Sequence, residues 1–482
     1  MDISSKRHAN RIEDFFLRGG LNKEQIDVMH ERALHLVENV GVYIPHKGIL
    51  KLLANYNGVK IDKENVRFKS DLVLKALKEA KYPLPDYAKN NWIISSGANQ
   101  TKIYDLNSSE IRETNLKDLI EMTKLCDSLN TVGAAPVVPL DVQYYLQEIL
   151  MHKISYEYSR FKANDIFEIT LKPTYESAYY VYEMAKAAKK WFAIGIYMIS
   201  PKTFDRKELD IVYRFLDKGV PMWAGTMPIA GISAPITIQG AILQSIFETF
   251  ACLTMLNLIN SKSYNYIQFI DNFIAHPFDM KYINFVYGSP EDIRGSLYKI
   301  SIHKYYKIPI VAKSLLTTSK EPDAHAAFEV GVHTLIAALA GIRVFRCGGL
   351  LNSGELYSAE QLVICYEIVE YIKNILKKEE FSEERLMINE ISEIGPGQSF
   401  IGQRSTFENF RNEYWEPELF IHSNLGQWKE MGSKSIQKYA NEIAKKRISE
   451  HTYQIEKNIK KELDKIYEFA KNDEELIKSY QL

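Results

Sequence analysis

The spacing of hydrophobic and polar residues predicts helices and one small hairpin in the first 130 residues. Residues 21–42 have the pattern of an amphipathic helix ending at Gly41, which is a suitable helix C-cap. A second helical pattern covers 70–80. The stretch NWIISSGANQTKIYDLNSSEIRET (91–114) alternates and turns like a small hairpin, with Asn107 and Ser108 near its tip. We therefore expect a helical extension that carries a hairpin.

From about residue 130 the pattern changes to short apolar runs, each followed by Gly, Pro, Ser or Asn and a helix-compatible segment. Such runs, alternating with helices, predict a parallel sheet covered on both faces. Seven runs within about 270 residues suit a (β/α)8 TIM barrel. The eighth strand is not evident, and EIGPGQSF (393–400) is the nearest candidate. The seven runs are 131–139, 165–171, 191–200, 220–227, 264–270, 307–314 and 342–348.

These patterns divide the chain into three predicted parts. Residues 1–130 form the N-terminal helical extension with its small hairpin, and residues 131–433 form the catalytic barrel. Residues 434–482 are heavily charged and helical in pattern, and we expect them to pack on the outside of the barrel as solvated helices. The predicted fold class is α/β.

Composition excludes some classes of function. The formal net charge is −1, which gives no reason to expect nucleic acid as a partner. The eleven histidines are scattered without an HExxH motif, so no metal site is predicted. The four cysteines lie among apolar residues without a CxxC pair, and the N-terminus lacks a signal-type apolar core; both favour a cytoplasmic protein.

One segment is unusually poor in charge. Residues 219–260 contain a single charged side chain, Glu248. Polar residues interrupt the helix-like part, so a buried helix fits better than a membrane span, which needs about 20 mostly apolar residues. In a barrel, Gly231 and Ser233 lie in the loop after a strand, where the chemistry of such barrels takes place. Glu248 is either a carboxylate satisfied by its neighbours or a group that supports this loop.

A second stretch, 321–363, has the same order of helix, strand and glycine-rich loop. Arg346, Asn352 and Tyr357 fall at the C-terminal edge of that strand or in its loop. His325 and Glu329 are spaced to pair on one helix face. His325 is either an ordinary surface residue or a ligand contact. The GGLLNSG loop does not fit a phosphate-binding motif.

Seven blocks along the chain resemble one known family, the trimethylamine methyltransferase-like (MttB-type) proteins. Pyrrolysine is absent, so the resemblance is to the branch without pyrrolysine, which includes glycine betaine methyltransferase. The positions that depart from the family blocks are His325, Cys365, Tyr366, Ser405 and Asn409. The blocks are ERALHLVENVGV, YDLNSSEIRETNLKDL, CDSLNTVGAAPVVPLDV, MPIAGISAPITIQGAILQSIFE, DAHAAFEVGVHTLIAALAGIRVFRCGGLLNSGELYSAEQLV, EIGPGQSF with YWEPELF, and GQWKEMGSK.

The resemblance implies a corrinoid-dependent methyltransferase. A methyl group would move from a quaternary amine, glycine betaine or similar, to Co(I) of cobalamin (a corrinoid) carried by a separate corrinoid-binding protein. A permanent cation is best held by aromatic ring faces. Tyr197, Trp223, Phe345 and Tyr357 are the aromatic candidates for this cage, although Trp223 and Phe345 also suit ordinary barrel packing.

A carboxylate on the substrate would bind an Arg, a His or backbone N–H groups. Arg346 and His325 are the candidates for this role, and the loop around Gly231 and Ser233 offers backbone donors. Glu248 and Asn352 are expected to support the loops. No catalytic residue is assigned.

Two alternatives remain open at this point. The donor is carnitine, proline betaine, a tertiary amine or another N-methylated compound, or the protein is a non-catalytic barrel that binds a methylated amine or a corrinoid protein. Homo-oligomers are plausible for a barrel of this size, and no membrane partner is expected.

Overall fold

The structure is a computed structural model and describes residues 20–82, 92–131, 135–160, 174–267, 272–378 and 381–481. The fold is mixed α/β. The strands of the described residues are β1 (Val42–Tyr43), β2 (Val59–Asp62), β3 (Asn65–Phe68), β4 (Ile93–Ser96), β5 (Lys102–Tyr104), β6 (Ile111–Glu113), β7 (Ile194–Ile199), β8 (Thr203–Phe204), β9 (Met222–Thr226), β10 (Asn265–Ile267), β11 (Phe278–Asp279), β12 (Asn284–Phe285), β13 (Val344–Gly348), β14 (Leu350–Leu351) and β15 (Leu356–Ser358).

The α-helices are more numerous and surround these strands. In the same described residues they are α1 (Lys23–Asn39), α2 (Lys47–Leu53), α3 (Ser70–Glu79), α4 (Leu116–Ser128), α5 (Tyr144–Tyr158), α6 (Tyr175–Ala187), α7 (Arg206–Phe215), α8 (Ile238–Ile259), α9 (Pro290–Tyr306), α10 (Ala324–Leu339), α11 (Ala359–Ile375), α12 (Ile388–Glu393), α13 (Arg404–Glu413), α14 (Leu425–Glu430), α15 (Ile436–Ser449), α16 (Lys457–Lys471) and α17 (Glu474–Ser479).

The parallel strands lie in two separately hydrogen-bonded sheets. β7, β9 and β10 pair in parallel, and β13 pairs in parallel with β4. Ala312 joins the second sheet through a parallel bridge to Phe345. Across the described ranges these pairings give a curled half-barrel rather than the closed eight-stranded barrel that the sequence pattern predicts. The predicted run 165–171 lies outside the described residues, and the run 307–314 contributes only its bridge at Ala312.

The strand missing from the sequence analysis is β4. Residues 93–96 were expected in the hairpin, but they pair with β13, and all four are buried. The hairpin itself consists of β5 and β6, and Asp105 Oδ1 accepts hydrogen bonds from the N–H groups of Asn107 and Ser108 in the turn. A strand that extends a parallel sheet is buried on both faces, so β4 lacks the alternation of a hairpin strand.

The expectation of an eighth strand near 393–400 is wrong. Helix α12 ends at Glu393, and a turn follows in which Gly397 has φ +79°. This conformation suits glycine and interrupts an extended strand. The boundary predicted at residue 130 also cuts through the sheet, because β4 lies before it and β13 after it.

Helix α8 is the central element of the hydrophobic cluster that also contains Trp223. It has the length and composition of a membrane-spanning helix, but 83% of its most apolar window is buried inside the protein. It packs against α1, α3 and β9. A helix that is apolar all round must be covered on every side, and here the surrounding elements supply that cover.

The charged C-terminal helices pack against the outer helices. α15 contacts α4 and α11, and α16 contacts α5 and α6. Asn441 Nδ2 donates to Glu360 Oε1 at 2.7 Å, and Leu463 and Ala470 are fully buried. Their charged residues lie mainly on the solvent-facing side.

Glu148 on α5 generates a pH-dependent prediction. Glu148 is buried, and its carboxylate accepts a long hydrogen bond, 3.5 Å, from Ser177 Oγ. Burial raises the pKa of Glu148 to about 8. Because the folded state holds this proton more tightly than the unfolded chain, the stabilisation is complete below the ordinary glutamate pKa and is lost as the pH rises through about 8. The Glu148→Gln variant lacks this titration.

We therefore expect the free energy of unfolding of the wild type, relative to Glu148→Gln, to fall as the pH rises from about 5 to about 8. Urea unfolding at several pH values measures this difference. Parallel pH profiles of the two proteins contradict the assignment.

Candidate functional site

Two aromatic side chains lie opposite two glycines on neighbouring parallel strands. Gly195 of β7 is in register with Trp223 of β9, and Tyr197 is in register with Gly225. A Cβ atom at Gly195 would lie 1.7 Å from Trp223 Cζ2, and one at Gly225 would lie 2.7 Å from Tyr197 Cδ1. The glycines therefore leave the space that both rings occupy.

The two rings meet edge to face. Their centroids are 5.0 Å apart with an interplanar angle of 79°, a favourable geometry for an aromatic pair. Trp223 is buried and Tyr197 is half-buried. Trp223 Nε1 is buried without a hydrogen-bond acceptor among the described residues, although a buried indole N–H usually has one. The pair therefore offers an aromatic wall with one N–H donor.

Phe345 and Arg346 lie where β13 becomes irregular. Val344 belongs to the same hydrophobic cluster as Trp223, but the pairing of β13 with β4 shifts register between Phe345 and Gly348, so strand alternation does not assign a face to Arg346. Phe345 is fully buried in the other large cluster, with residues of α10 and α11, and stacks on Trp92 at 5.6 Å. Phe345 therefore packs between the sheet and the helices, in a different cluster from Trp223.

Tyr357 lies with Phe345 rather than with Trp223. It is fully buried in the second cluster, and its hydroxyl is 2.9 Å from Ser96 Oγ and 3.7 Å from Cys126 Sγ. Burial raises the pKa of Tyr357 well above its ordinary value. The sequence placed Tyr357 in an open loop, but β15 pairs in parallel with β5, and this pairing buries the ring.

The loop after β9 is a tight, internally bonded turn. Gly231 has φ +84°, a conformation that favours glycine. Ser233 Oγ accepts a hydrogen bond from Ile229 N at 2.9 Å, so Ser233 closes the turn. Thr237 rather than Ser233 caps α8, accepting from Gly240 N. The loop thus arrives at the helix in a fixed conformation.

Glu248 connects this loop to two strand ends. Its Oε2 accepts from Ser200 Oγ and Thr226 Oγ1, each at 2.6 Å, and its Oε1 accepts from Lys202 N and Gln244 Nε2, each at 2.9 Å. Gln244 Nε2 also donates to the carbonyl of Ser233 at 2.7 Å. Burial raises the pKa of Glu248, and these four donors oppose that rise. The carboxylate faces the loops and not an open cavity.

The loops after β9 and β10 are joined and carry an exposed apolar rim. Ala230 N donates to His276 O at 3.0 Å, and His276 N donates to Pro228 O at 3.2 Å. Several large apolar side chains on these loops are exposed by 41% to 71%. We call them the apolar rim; they are Met227, Ile232, Ile236, Met280, Tyr282 and Ile283.

His325 and Asn352 lie in another part of the loop region. His325 is exposed, and its Nε2 is 2.9 Å from Glu329 Oε1 and 3.2 Å from Thr318 Oγ1. Asn352 has φ +48°, and its N–H donates to Ser319 O at 2.6 Å. His325 thus contacts the loop after Ala312, whereas Asn352 joins that loop to the segment after β13.

An aromatic group that sequence reasoning missed follows β10. Tyr287 stacks on Phe285 with centroids 5.5 Å apart, and its ring centroid is 5.7 Å from that of His276. Lys313 Nζ lies 5.2 Å from the Tyr287 ring centroid. The signal was present in NFIAHPFDMKYINFVYG, an aromatic-rich stretch directly after a predicted strand.

The described residues contain no group of three His, Cys, Asp or Glu side chains that could hold a metal ion. Tyr197 and Trp223 provide aromatic faces and an indole N–H, and hydrogen bonds fix the loops after β9 and β10. Such a site is suited to binding and orienting a ligand.

The family model of trimethylamine methyltransferase (MTTB) matches residues 19–475. The chain belongs to this family. Among known relatives, a glycine betaine methyltransferase of Desulfitobacterium hafniense (strain Y51) is 22% identical over 431 residues, covering 85% of this chain and 88% of that protein. A trimethylamine methyltransferase MttB of D. hafniense (strain DSM 10664 / DCB-2) is 24% identical over 456 residues, covering 90% of each.

An L-carnitine:corrinoid methyltransferase of Eubacterium limosum is 22% identical over 440 residues, covering 85% of this chain and 88% of that protein. The crystal structure of the Methanosarcina barkeri monomethylamine methyltransferase (MtmB) covers 92% of this chain and 94% of that one, at 10% identity and a TM-score of 0.42. That likeness adds nothing to the architecture described above. Family membership makes the chain a methyltransferase.

The Glu248 network yields a stability prediction. Glu248→Ala removes the acceptor shared by four donors, among them the buried Thr226 hydroxyl, and we expect it to lower the free energy of unfolding by about 2–4 kcal/mol. In Glu248→Gln the remaining oxygen still accepts from Lys202 N and Gln244 Nε2, and the new amide donates to the hydroxyls of Ser200 and Thr226. That variant should lose much less. Chemical denaturation of both variants measures the losses, and equal losses contradict the network.

Proposed function

We propose that this methyltransferase takes a methyl group from a quaternary amine of the glycine betaine type and delivers it to Co(I) of a corrinoid that a separate protein carries. The observation that carries the proposal is the Tyr197–Trp223 wall, made possible by the in-register glycines, in a chain of this family. Glycine betaine, trimethylamine and L-carnitine appear in the names of its relatives.

The proposed reaction needs no general acid or general base. When the C–N bond breaks, its electron pair stays on nitrogen, which loses its positive charge and leaves as a neutral amine. The electron pair for the new bond to the methyl carbon comes from the acceptor cobalt. No proton moves, so the protein must hold the cation, aim one methyl group and exclude water. Such positioning contributes on the order of 7–11 kcal/mol in favourable cases.

The site suits a zwitterion with a positive and a negative end. Aromatic faces attract an onium group by about 0.5–2 kcal/mol each. The indole N–H of Trp223 is a donor for a carboxylate. We propose Arg346 as the second donor, because a guanidinium binds a carboxylate through two parallel hydrogen bonds. A carboxylate-bearing quaternary amine therefore fits this combination better than a simple methylamine.

Several residues change roles relative to the sequence-based hypothesis. Phe345 and Tyr357 leave the cage, because they are buried in the packing behind the sheet. His325 and Asn352 are proposed to shape the loops at the mouth, as are Gly231 and Ser233 with Glu248 behind them. The divisions at 130 and 433 and the cytoplasmic location remain part of the proposal, with β4 of the first part pairing with β13 of the second.

The apolar rim is the proposed docking surface for the corrinoid protein. It lies on the loops that follow β9 and β10, and these loops are hydrogen-bonded to each other. Contiguous exposed apolar patches on soluble proteins commonly mark interaction sites. A partner seated there would bring the corrin ring to the C-terminal ends of the strands; Tyr197 lies two residues before the end of β7, and Trp223 lies three residues before the end of β9.

Activity toward a panel of donors tests the proposal. Purified enzyme is mixed with free cob(I)alamin and with glycine betaine, L-carnitine, proline betaine or trimethylamine, and methylated corrinoid is followed by its absorption spectrum. We expect the carboxylate-bearing quaternary amines to react faster than trimethylamine. Transfer from trimethylamine alone contradicts the substrate class, and binding without transfer favours a non-catalytic protein.

Arg346→Met tests, in the same assay, whether the carboxylate of the substrate is recognised separately from its quaternary ammonium group. We expect its KM for the preferred betaine to rise roughly tenfold or more, because a charge-assisted contact contributes about 1.5–3 kcal/mol. The KM for a quaternary amine without a carboxylate should change little. Equal effects on both donors contradict a carboxylate contact.

Trp223→Leu and Phe345→Leu form a matched pair of large-to-small changes at buried aromatic residues. Trp223→Leu should weaken substrate binding about tenfold or more, since it removes a cation-binding face and an N–H donor. Phe345→Leu should mainly lower stability, because the ring packs against Trp92. Steady-state kinetics and thermal unfolding of both variants measure this. Similar KM changes in the two variants contradict the revised site.

A further inference from the structure

The outward face of helix α10 is apolar, and the described residues leave it uncovered. Phe328 is 68% exposed and Leu339 is 51% exposed, and Val332 and Leu335 between them are half-buried. These four positions are spaced i, i+4, i+7 and i+11, which places them on one face of the helix. We call them the α10 stripe. A Cβ atom at the adjacent Gly331 would have no described neighbour within 4 Å, so the surface has room for a side chain from outside.

The polar side chains of α10 do not make this face soluble. His325 Nε2 lies 3.2 Å from Thr318 Oγ1, and Glu329 Oε2 accepts a hydrogen bond from Thr317 Oγ1 at 2.6 Å. Both side chains are thus engaged with the loop after Ala312. A helix that is apolar on all sides must be covered on all sides. The α10 stripe therefore needs a cover, and it lies on the helix that holds a loop of the proposed mouth.

The sequence before the described residues has a pattern that matches this face. Residues 1–19 read MDISSKRHANRIEDFFLRG. Ile12, Phe15 and Phe16 are spaced i, i+3 and i+4, which is the pattern of one apolar face of a helix. Asn10 and Glu13 have the spacing of a helix N-cap and its N3 partner. So short a helix is marginal alone in water, because helices below about 12–15 residues gain most of their stability by burying an apolar face.

The chain enters the described structure one helix away from the α10 stripe. α1 packs against α8, whereas Gly20, which precedes α1, lies on α9: a Cβ atom there would be 3.0 Å from Tyr298 Cε1 and 3.7 Å from Leu297 Cβ. The next helix is α10, which meets α9 at the 3.0 Å contact between Ser296 Oγ and His333 Nε2. Followed backwards from α1, the chain therefore crosses from α8 to α9 and is directed toward α10. Packed helices lie about 8–10 Å apart, and a helix of eight residues, ~12 Å long, spans that distance.

We propose that residues 11–18 of the same chain cover the α10 stripe, with Phe15 and Phe16 seated on it beside Gly331. Phe16 is four positions before Gly20, and a short linker gives a tethered group an effective concentration on the order of millimolar. The chain's own segment therefore reaches this surface ahead of a separate molecule. In that position it acts as a strap over the helix whose His325 and Glu329 contact the loop after Ala312.

Photo-crosslinking of the full chain identifies what lies on the stripe. Phe328→p-benzoylphenylalanine places a photoreactive ring there, and the product is sized on a denaturing gel and mapped by mass spectrometry. We expect a crosslink to a peptide from residues 1–19 in a product with the mass of one chain. Phe469→p-benzoylphenylalanine, at a phenylalanine that is 72% exposed on α16, is the matched control and should not capture that peptide. A product with twice the chain mass, or no crosslink to residues 1–19, overturns the proposal.

Hydrogen exchange tests the same contact without a probe on the stripe. Phe16→Asp should speed exchange of the amides of residues 327–339 by about threefold or more, because α10 loses part of its cover and opens more often. Phe469→Asp should leave those rates unchanged. In the wild type, protection of residues 11–18 should be independent of protein concentration. Unchanged rates in Phe16→Asp, or protection that is lost on dilution, overturn the proposal. Neither experiment depends on methyl transfer, so failure of the proposed activity leaves both outcomes readable.

Discussion

The fit of two aromatic rings against two glycines across β7 and β9 is the constraint on which the site depends. Any side chain at Gly195 would collide with the Trp223 indole, and any at Gly225 would crowd the Tyr197 ring. Glycine at both positions leaves room for each ring above the neighbouring strand, with both rings on the same side of the sheet. The aromatic wall is thus encoded by the small residues as much as by the large ones.

The buried carboxylate of Glu248 holds the loops that follow β7 and β9 in place. A charge inside an apolar helix is tolerated only with partners, and four donors from the two strand ends and the helix itself surround it. Through Gln244 the same network holds the loop at Ser233. This explains why one charged residue persists in a stretch of 42 that is otherwise uncharged: it fastens the loops to the core.

The sequence predicted the parallel strands, the buried helix α8 and a supporting role for Glu248. Continuous apolar runs favour buried strands and helices, and an isolated buried charge needs hydrogen-bonding partners. The sequence did not predict β4 as a partner of β13, since pairing between residues 250 positions apart leaves no local pattern. It also could not decide which of Phe345 and Arg346 faces Trp223, because a one-residue difference in strand phase exchanges the two faces. In the structure Phe345 packs in a different hydrophobic cluster from Trp223.

The central claim is that the Tyr197–Trp223 wall recognises a permanent positive charge. The most direct measurement compares the binding of glycine betaine with that of tert-butylacetate, which has the same shape and carboxylate but a neutral carbon in place of nitrogen, by isothermal titration calorimetry. The account predicts that glycine betaine binds at least several-fold more tightly, and that the difference shrinks in Trp223→Leu. Equal affinity of the wild type for both compounds would contradict it.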